Sequence, residues 1–264
     1  MNSCPLLHVS FQPPDSPFPA VLPMIGQMGS FDRPSADLGD VLDLYLHGCV
    51  PSYNHNLPPS PTPLTPQPSY VSSRVMNLTR NTNNTDTTSP QPQGLPLTIA
   101  ASHLDGLVLS LTPNSHSYNY RSAILFGHAT LVTDVDEKLY AMELITNSIV
   151  PQRWTNTRTP PNAAEMQSTS VLRVRISAGS AKIRTGGPHD ERGDLEDRGL
   201  VERVWTGVVP VYSVLGEPVA GGYNALGEVP GYIEGWRGEV NKEAEGYARE
   251  AVGREVVRKK VDGE

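Results

Sequence analysis

Apolar and polar positions along this chain alternate mostly with the two-residue period of strands. Leu6–Phe11 (LLHVSF) predicts a short strand, Ala20–Gly29 (AVLPMIGQMG) a second and Val41–Gly48 (VLDLYLHG) a third. Proline has no N–H to give to a ladder, so Pro23 implies an edge position or a bulge in the second strand. Leu95–Leu111 predicts two strand-like runs around a turn near Asp105-Gly106. Ser122–Thr133 (SAILFGHATLVT) is the clearest strand pattern, and it is entered through a polar cluster, Tyr118-Asn119-Tyr120-Arg121-Ser122. Gly127 interrupts it, which implies a β-bulge or a close approach by another backbone or a flat ligand. Ser170–Arg184 alternates apolar residues with Arg173 and Arg175, as a half-exposed strand would, and Arg203–Pro218 predicts one more strand.

The helical period is rarer. In VSSRVMNLTR, a serine N-cap is followed by Val75, Met76 and Leu78, which predicts a helix start. An amphipathic helix is expected through Ile149, with Asp134 or Asp136 as its N-cap, and a polar helix weakened by glycines from Pro230 onward. Residues 49–69, rich in proline, serine and threonine, predict a disordered insertion, with a ligand for a proline-recognising domain as the alternative; 80–94 predicts a flexible loop. Many strands with inserted helices and no strict alternation argue for a mainly β (α+β) domain built on an antiparallel barrel.

The 264 residues suit one elaborated domain or two small ones, and a net charge of −7 argues against a nucleic-acid partner. The 25 prolines and 23 glycines agree with a large share of loop. Cys4 and Cys49 are too few for a disulfide framework, and no cysteine–histidine cluster suggests a metal site. No apolar run approaches the roughly 20 residues of a membrane helix. The first residues lack a basic run followed by an apolar stretch, so a cytoplasmic location is expected.

Three segments carry candidate chemistry. His47-Gly48, followed after the insertion by Ser72-Ser73-Arg74, places hydroxyls and a guanidinium at a helix start, where N–H groups and the helix dipole favour an anion. The bland reading is a serine cap beside a surface arginine. Tyr118–Ser122 suits stacking of a ring and contact with its polar edge; the bland reading is loop covering a barrel end. AVLPMIGQMG is an odd core strand, better suited to an edge facing a heterocycle.

Together these runs resemble the FMN-binding split-barrel proteins of the pyridoxamine 5′-phosphate oxidase-like superfamily, in the fungal form of its flavin-nucleotide-binding and nitroimidazole-reductase-like branch. The likeness rests on SYNYRSAILFGHATLVTDVDEKLYAMELIT, with LPMIGQMG, YLHG, SSR, VLRVRISAGSAKIR and RVWTGVVPVY in order, over most of residues 6–215. It implies a six-stranded antiparallel split barrel with peripheral helices over 1–215, followed by a helical extension over 216–264. It also implies a homodimer with FMN between subunits. Carried over by position, Val21, Leu22, Pro23 and Met24 would line the flavin, and His47, Ser72, Ser73 and Arg74 would face its phosphate. Tyr120, Arg121 and Ser122 would close the site from the partner chain.

Two departures stand out. Members of this family usually carry a segment before the first strand, whereas this sequence begins almost at it. Residues 49–69 separate motifs that normally adjoin; excising Cys49 to Ser69 would restore HGYVSSR, as a retained intron would imply.

The resemblance implies an FMN-dependent oxidoreductase acting on a small molecule. A second basic phosphate set, needed for true pyridoxamine-phosphate oxidase activity, is not evident. The alternatives are a non-catalytic flavin or haem binder and a degenerate product with an impaired cofactor site. Haem would need an axial ligand such as His47, His103, His116 or His128.

Overall fold

The computed structural model describes residues 1–14, 16–37, 39–49, 75, 78, 79 and 94–253. In chain order, the elements are β1 (Leu7–Phe11), β2 (Ala20–Gly29), β3 (Asp43–Cys49), β4 (Leu95–Leu109), β5 (Ser117–Leu131), α1 (Val135–Ile149) and α2 (Ala163–Ser168). There follow β6 (Thr169–Arg184), α3 (Arg192–Glu196), α4 (Arg198–Arg203), β7 (Gly207–Pro210) and α5 (Gly231–Gly253). The sheet order is β1-β2-β3-β6-β5-β4, and pairing of β1 with β4, centred on Val9 and Ile99, closes it into the expected six-stranded antiparallel barrel. Closure removes the open edges that an isolated sheet of this length would expose.

The chain divides into two compact units. The first holds residues 1–101 and 123–180; the second holds 102–122 and 181–264.

In the first unit, alternation along the strands sorts side chains to two faces. Leu7, Val9, Leu44, Leu46, Ile99, Leu172 and Val174 are fully buried in one cluster inside the barrel. Leu44 opposite Val174, and Leu46 opposite Leu172, set the β3–β6 register. The other face carries Tyr45 and Val171, which pack with Ala141 and Ile145 of α1. Asp134 caps α1 by accepting from the Glu137 N–H at 2.8 Å, as one of the two predicted caps.

Pro23 pairs with His8 of β1, while the β2–β3 register begins only at Ile25 opposite His47. Among the described residues, its missing N–H falls where β2 pairs with β1 alone. Gly127 is explained by close approach: a Cβ there would lie 2.4 Å from the Arg175 carbonyl oxygen and 2.9 Å from Val174 Cγ1. The backbone it admits is that of β6.

In the second unit, β7 pairs with the end of β4, Gly207 opposite Leu109 and Pro210 opposite Gly106. The expected turn at Asp105-Gly106 is not present; β4 runs straight through it. Asp105 is buried there as the acceptor of Arg121, and a Cβ on Gly106 would lie 2.9 Å from Val208 Cγ1. These contacts override two residues with a strong turn preference. The polar cluster is likewise strand, since β5 begins at Ser117. Of the strand expected over Arg203–Pro218, only β7 forms. The predicted helix near 71–80 is seen at Val75, Leu78 and Thr79, which are helical; its serine cap lies outside the described residues, as do 50–69.

Candidate functional site

The candidates fall into three groups. Val21, Leu22, Pro23 and Met24 lie on β2, paired in turn with Ser10, Val9, His8 and Leu7. Alternation divides them: Met24 belongs to the barrel core and Leu22 packs against it, whereas Val21 and Pro23 face outward. Only the outward pair could touch a ring with its side chains; the other two could contribute backbone. His47 projects from β3 between Ile25 of β2 and Val171 of β6. Its imidazole remains open at the surface, yet the surrounding strands desolvate it and lower its pKa from the usual 6.5. Val21, Pro23 and His47 thus belong to one outer strand surface of the first unit. Ser72, Ser73 and Arg74, assigned to the phosphate end, lie outside the described residues.

Tyr120, Arg121 and Ser122 belong to the second unit. Arg121 is already engaged: Nε donates to Asp105 Oδ2 at 3.0 Å and Nη2 to Oδ1 at 2.7 Å. Its guanidinium carbon also sits 3.6 Å from the centroid of the Tyr247 ring of α5. Arg121 therefore acts as an anchor within the unit, and its neighbours are the surface groups. Ser122 Oγ donates to the Lys182 carbonyl at 3.2 Å, and Lys182 Nζ lies 5.6 Å from the Tyr120 ring centroid. Hydrogen bonding to Tyr120 raises the Lys182 pKa. On the anchored face, buried Asn119 donates to the Gly186 carbonyl at 3.0 Å and accepts from Arg184 at 2.7 Å. His103 is also in this unit, and burial, followed by the nearby Arg121 charge, lowers its pKa.

A polar network beneath α1 has no counterpart in the sequence pattern. Glu137 Oε1 accepts from the Tyr45 hydroxyl at 3.0 Å and from Arg173 Nη1 at 2.9 Å. Arg173 Nε is buried without a hydrogen-bond partner and stands 4.0 Å from Asp43 Oδ2. Burial, reinforced by Glu137, raises the Tyr45 pKa, and burial raises that of Asp43. The one signal in the sequence is the Asp134-x-x-Glu137 spacing, which reads equally well as an ordinary helix cap.

Two open clefts lie elsewhere in the first unit. One, of about 400 Å³, is lined by Met28, Val41, Leu42, Leu125 and Ile176; the other, of about 380 Å³, by Tyr140, Glu143, Trp154 and Pro160 among others. Neither includes Val21, Pro23 or His47. Among the described residues, no group of three or more histidine, cysteine or carboxylate side chains could hold a metal ion, and no helix is long and apolar enough to cross a membrane.

A family model for pyridoxamine 5′-phosphate oxidase matches residues 72–183. No curated protein matches the chain. The solved structure of the flavocytochrome Anf3 from Azotobacter vinelandii matches with a TM-score of 0.61 at 24% identity, covering 89% of this chain and 86% of that one. The FAD and haem binding protein from Mycobacterium smegmatis matches with a TM-score of 0.62 at 23% identity, covering 89% and 91% respectively. At these identities the two structures show the shared fold.

Proposed function

We propose, for a chain that belongs to the pyridoxamine 5′-phosphate oxidase-like split-barrel family, that it binds FMN and acts as a flavin-dependent oxidoreductase on a small molecule. The observation that carries this reading is the outer strand surface of the closed barrel. There Val21 and Pro23 leave an apolar face beside the β1 pairing. A flat ring fits such a face: side chains contact its plane, while backbone groups meet its polar edge.

The bound flavin would supply the hydride or electron chemistry. The chain's residues would bind and orient it. Ser72, Ser73 and Arg74 would hold the phosphate through charge-assisted hydrogen bonds. His47, kept neutral by desolvation, would border the phosphate region as an uncharged donor or acceptor. In a cytoplasmic homodimer with the cofactor between subunits, Tyr120 and Ser122 would close the site from the partner copy. Arg121 would fix their position through Asp105.

Haem is the second reading. Both matched structures are named for haem or cytochrome proteins. His47 and His103 each have a lowered pKa, and axial ligation requires the neutral imidazole. The test is an absorption spectrum of the purified protein, followed by acid release and chromatography of the chromophore. Released FMN is the expected result; released FAD would correct the flavin, and a Soret band would favour haem. A colourless protein that takes up none of these would overturn the proposal. Arg74→Ala should weaken FMN binding, and unchanged affinity would remove the phosphate assignment.

A further inference from the structure

The cleft of about 380 Å³ beside α1 is lined by none of the residues assigned to the flavin. The helix supplies Leu139, Tyr140 and Glu143 to it, and the chain that follows supplies Trp154, Thr159 and Pro160. Its volume lies near the lower end of small-molecule sites, roughly 300–1,000 Å³.

Both sets of residues are fixed by bonds within the first unit. Leu139, Tyr140, Glu143 and Asn147 are spaced three or four apart and so share one stripe of α1. Asn147 Oδ1 accepts from the Trp154 N–H at 2.9 Å, which ties the tryptophan backbone one helical turn beyond Glu143. The loop that carries Trp154 closes on itself: the Gln152 carbonyl accepts from Thr155 Oγ1 at 3.0 Å and from Asn156 Nδ2 at 2.9 Å. The Trp154 carbonyl accepts from Thr157 Oγ1 at 2.9 Å. Tyr140 is held as well, its hydroxyl accepting from the Ser30 N–H at 3.0 Å and its ring standing edge-on to Tyr45 at 5.7 Å. A site set in advance spends little of its binding energy on ordering.

Glu143 is the charged side chain of this lining. It is exposed, and its carboxylate makes no hydrogen bond or ion pair among the described residues. The neighbouring cations are engaged elsewhere. Arg158 pairs with Glu165, Lys138 Nζ donates to the Met166 carbonyl, and Arg153 has a partner of its own. The negative charge at the cleft is therefore left for a ligand.

Two aromatic rings beside an unpaired carboxylate select a cation, because a ring face is negative and tryptophan offers the strongest such face. The kind of cation follows from the remaining groups. A primary ammonium has three N–H donors to satisfy. With the Tyr140 hydroxyl already engaged, the side-chain acceptors here are Glu143 and Thr159. An N-methylated ammonium makes no such demand: its charge is spread over methyl groups, which suit the rings, Leu139 and Pro160. We propose that this cleft binds a methylated ammonium group, with Trp154 and Tyr140 against its methyls and Glu143 as counter-charge.

The test is isothermal titration of the full chain with choline chloride, against sodium chloride at equal ionic strength. Choline should bind saturably. Its neutral carbon analogue, 3,3-dimethyl-1-butanol, should bind about tenfold more weakly or worse, as should choline to Glu143→Gln and to Trp154→Leu. Glu143 is exposed, so its amide variant should keep the wild-type circular dichroism spectrum; Trp154→Phe retains a ring and should lose less than Trp154→Leu. Flotation with phosphatidylcholine vesicles distinguishes the source: co-flotation abolished by Glu143→Gln would place the group on a lipid headgroup, and choline binding without co-flotation on a free small molecule. Absence of saturable binding would overturn the proposal. So would equal binding of the neutral analogue, or unchanged affinity in Glu143→Gln.

Discussion

Arg121 meets Asp105 side-on through two nearly parallel hydrogen bonds of 3.0 and 2.7 Å, with a carboxylate 4% exposed and a guanidinium 30% exposed. Such a pair fixes orientation as well as distance. The Tyr247 ring covers the guanidinium, so β4, β5 and α5 meet at one cation. This junction sets where Tyr120 and Ser122, its chain neighbours, project from the second unit.

Asp105→Asn should therefore be costly. It leaves a largely covered guanidinium without its counter-charge, a loss of about 2–4 kcal/mol after allowance for the solvent that still reaches Arg121. Urea unfolding of Asp105→Asn, Arg121→Gln and the double variant would show it. The double variant should cost less than the sum of the single ones, because each single change strands a partner. Simple additivity would mean that the pair contributes nothing beyond its separate side chains.

Glu137→Gln should loosen α1 selectively. The carboxylate joins the Tyr45 hydroxyl and Arg173 on the strand surface under the helix. Neutralising it weakens the charge-assisted bond to Arg173, at about 1–3 kcal/mol. Hydrogen exchange of α1 amides should accelerate, with little change in α5. Equal acceleration in both helices would indicate general destabilisation instead.

Gly127→Ala tests the close approach in β5. The new methyl would meet the Arg175 carbonyl, a backbone atom with little freedom to move. Overpacking of this kind costs about 1–3 kcal/mol. Gly179→Ala is the control: its nearest clash, 2.7 Å, is with the Leu125 Cδ2 methyl, a side-chain atom that can rotate away. Thermal unfolding should rank Gly127→Ala as clearly the more destabilised. The reverse order would leave Gly127 unexplained by sterics.

The barrel is legible in the sequence because its strands alternate. β2 occupies the predicted residues, and β1, β3, β6 and α1 agree with expectation within two residues at either end. The errors lie where tertiary contacts overrule local preference. Asp105-Gly106 has turn chemistry, but a salt bridge to a residue 16 positions away holds it in strand. The polar cluster is legible as chemistry but not as structure. Arg121 reads as facing a ligand because nothing local shows its partners, which are supplied by β4 and the distant α5. The Glu137 network is hidden for the same reason: Tyr45 and Arg173 meet through pairing of β3 with the distant β6, and Glu137 reaches them only when α1 packs on that face.

Folding stability of the apo chain should fall on mild acidification, and two histidines should account for much of the slope. Burial lowers the folded-state pKa of His47, and burial with the nearby Arg121 lowers that of His103, both from an ordinary 6.5. A base with a depressed folded pKa contributes fully above its unfolded value. That contribution is lost as pH falls through 6.5 towards the folded value, because the unfolded chain takes up the proton first. Asp43 acts in the opposite sense. Burial raises its carboxyl pKa, so its contribution is present at low pH and is lost as pH rises from its ordinary 3.8 through the higher folded value. The Asp43 effect begins in the acidic range, whereas those of the histidines begin near neutrality. Urea unfolding from about pH 7.5 to pH 5.5 should therefore show declining stability. His47→Gln should remove part of that slope, and His47→Gln/His103→Gln most of it. A double variant with the wild-type slope would show that desolvation of these two imidazoles is not its source.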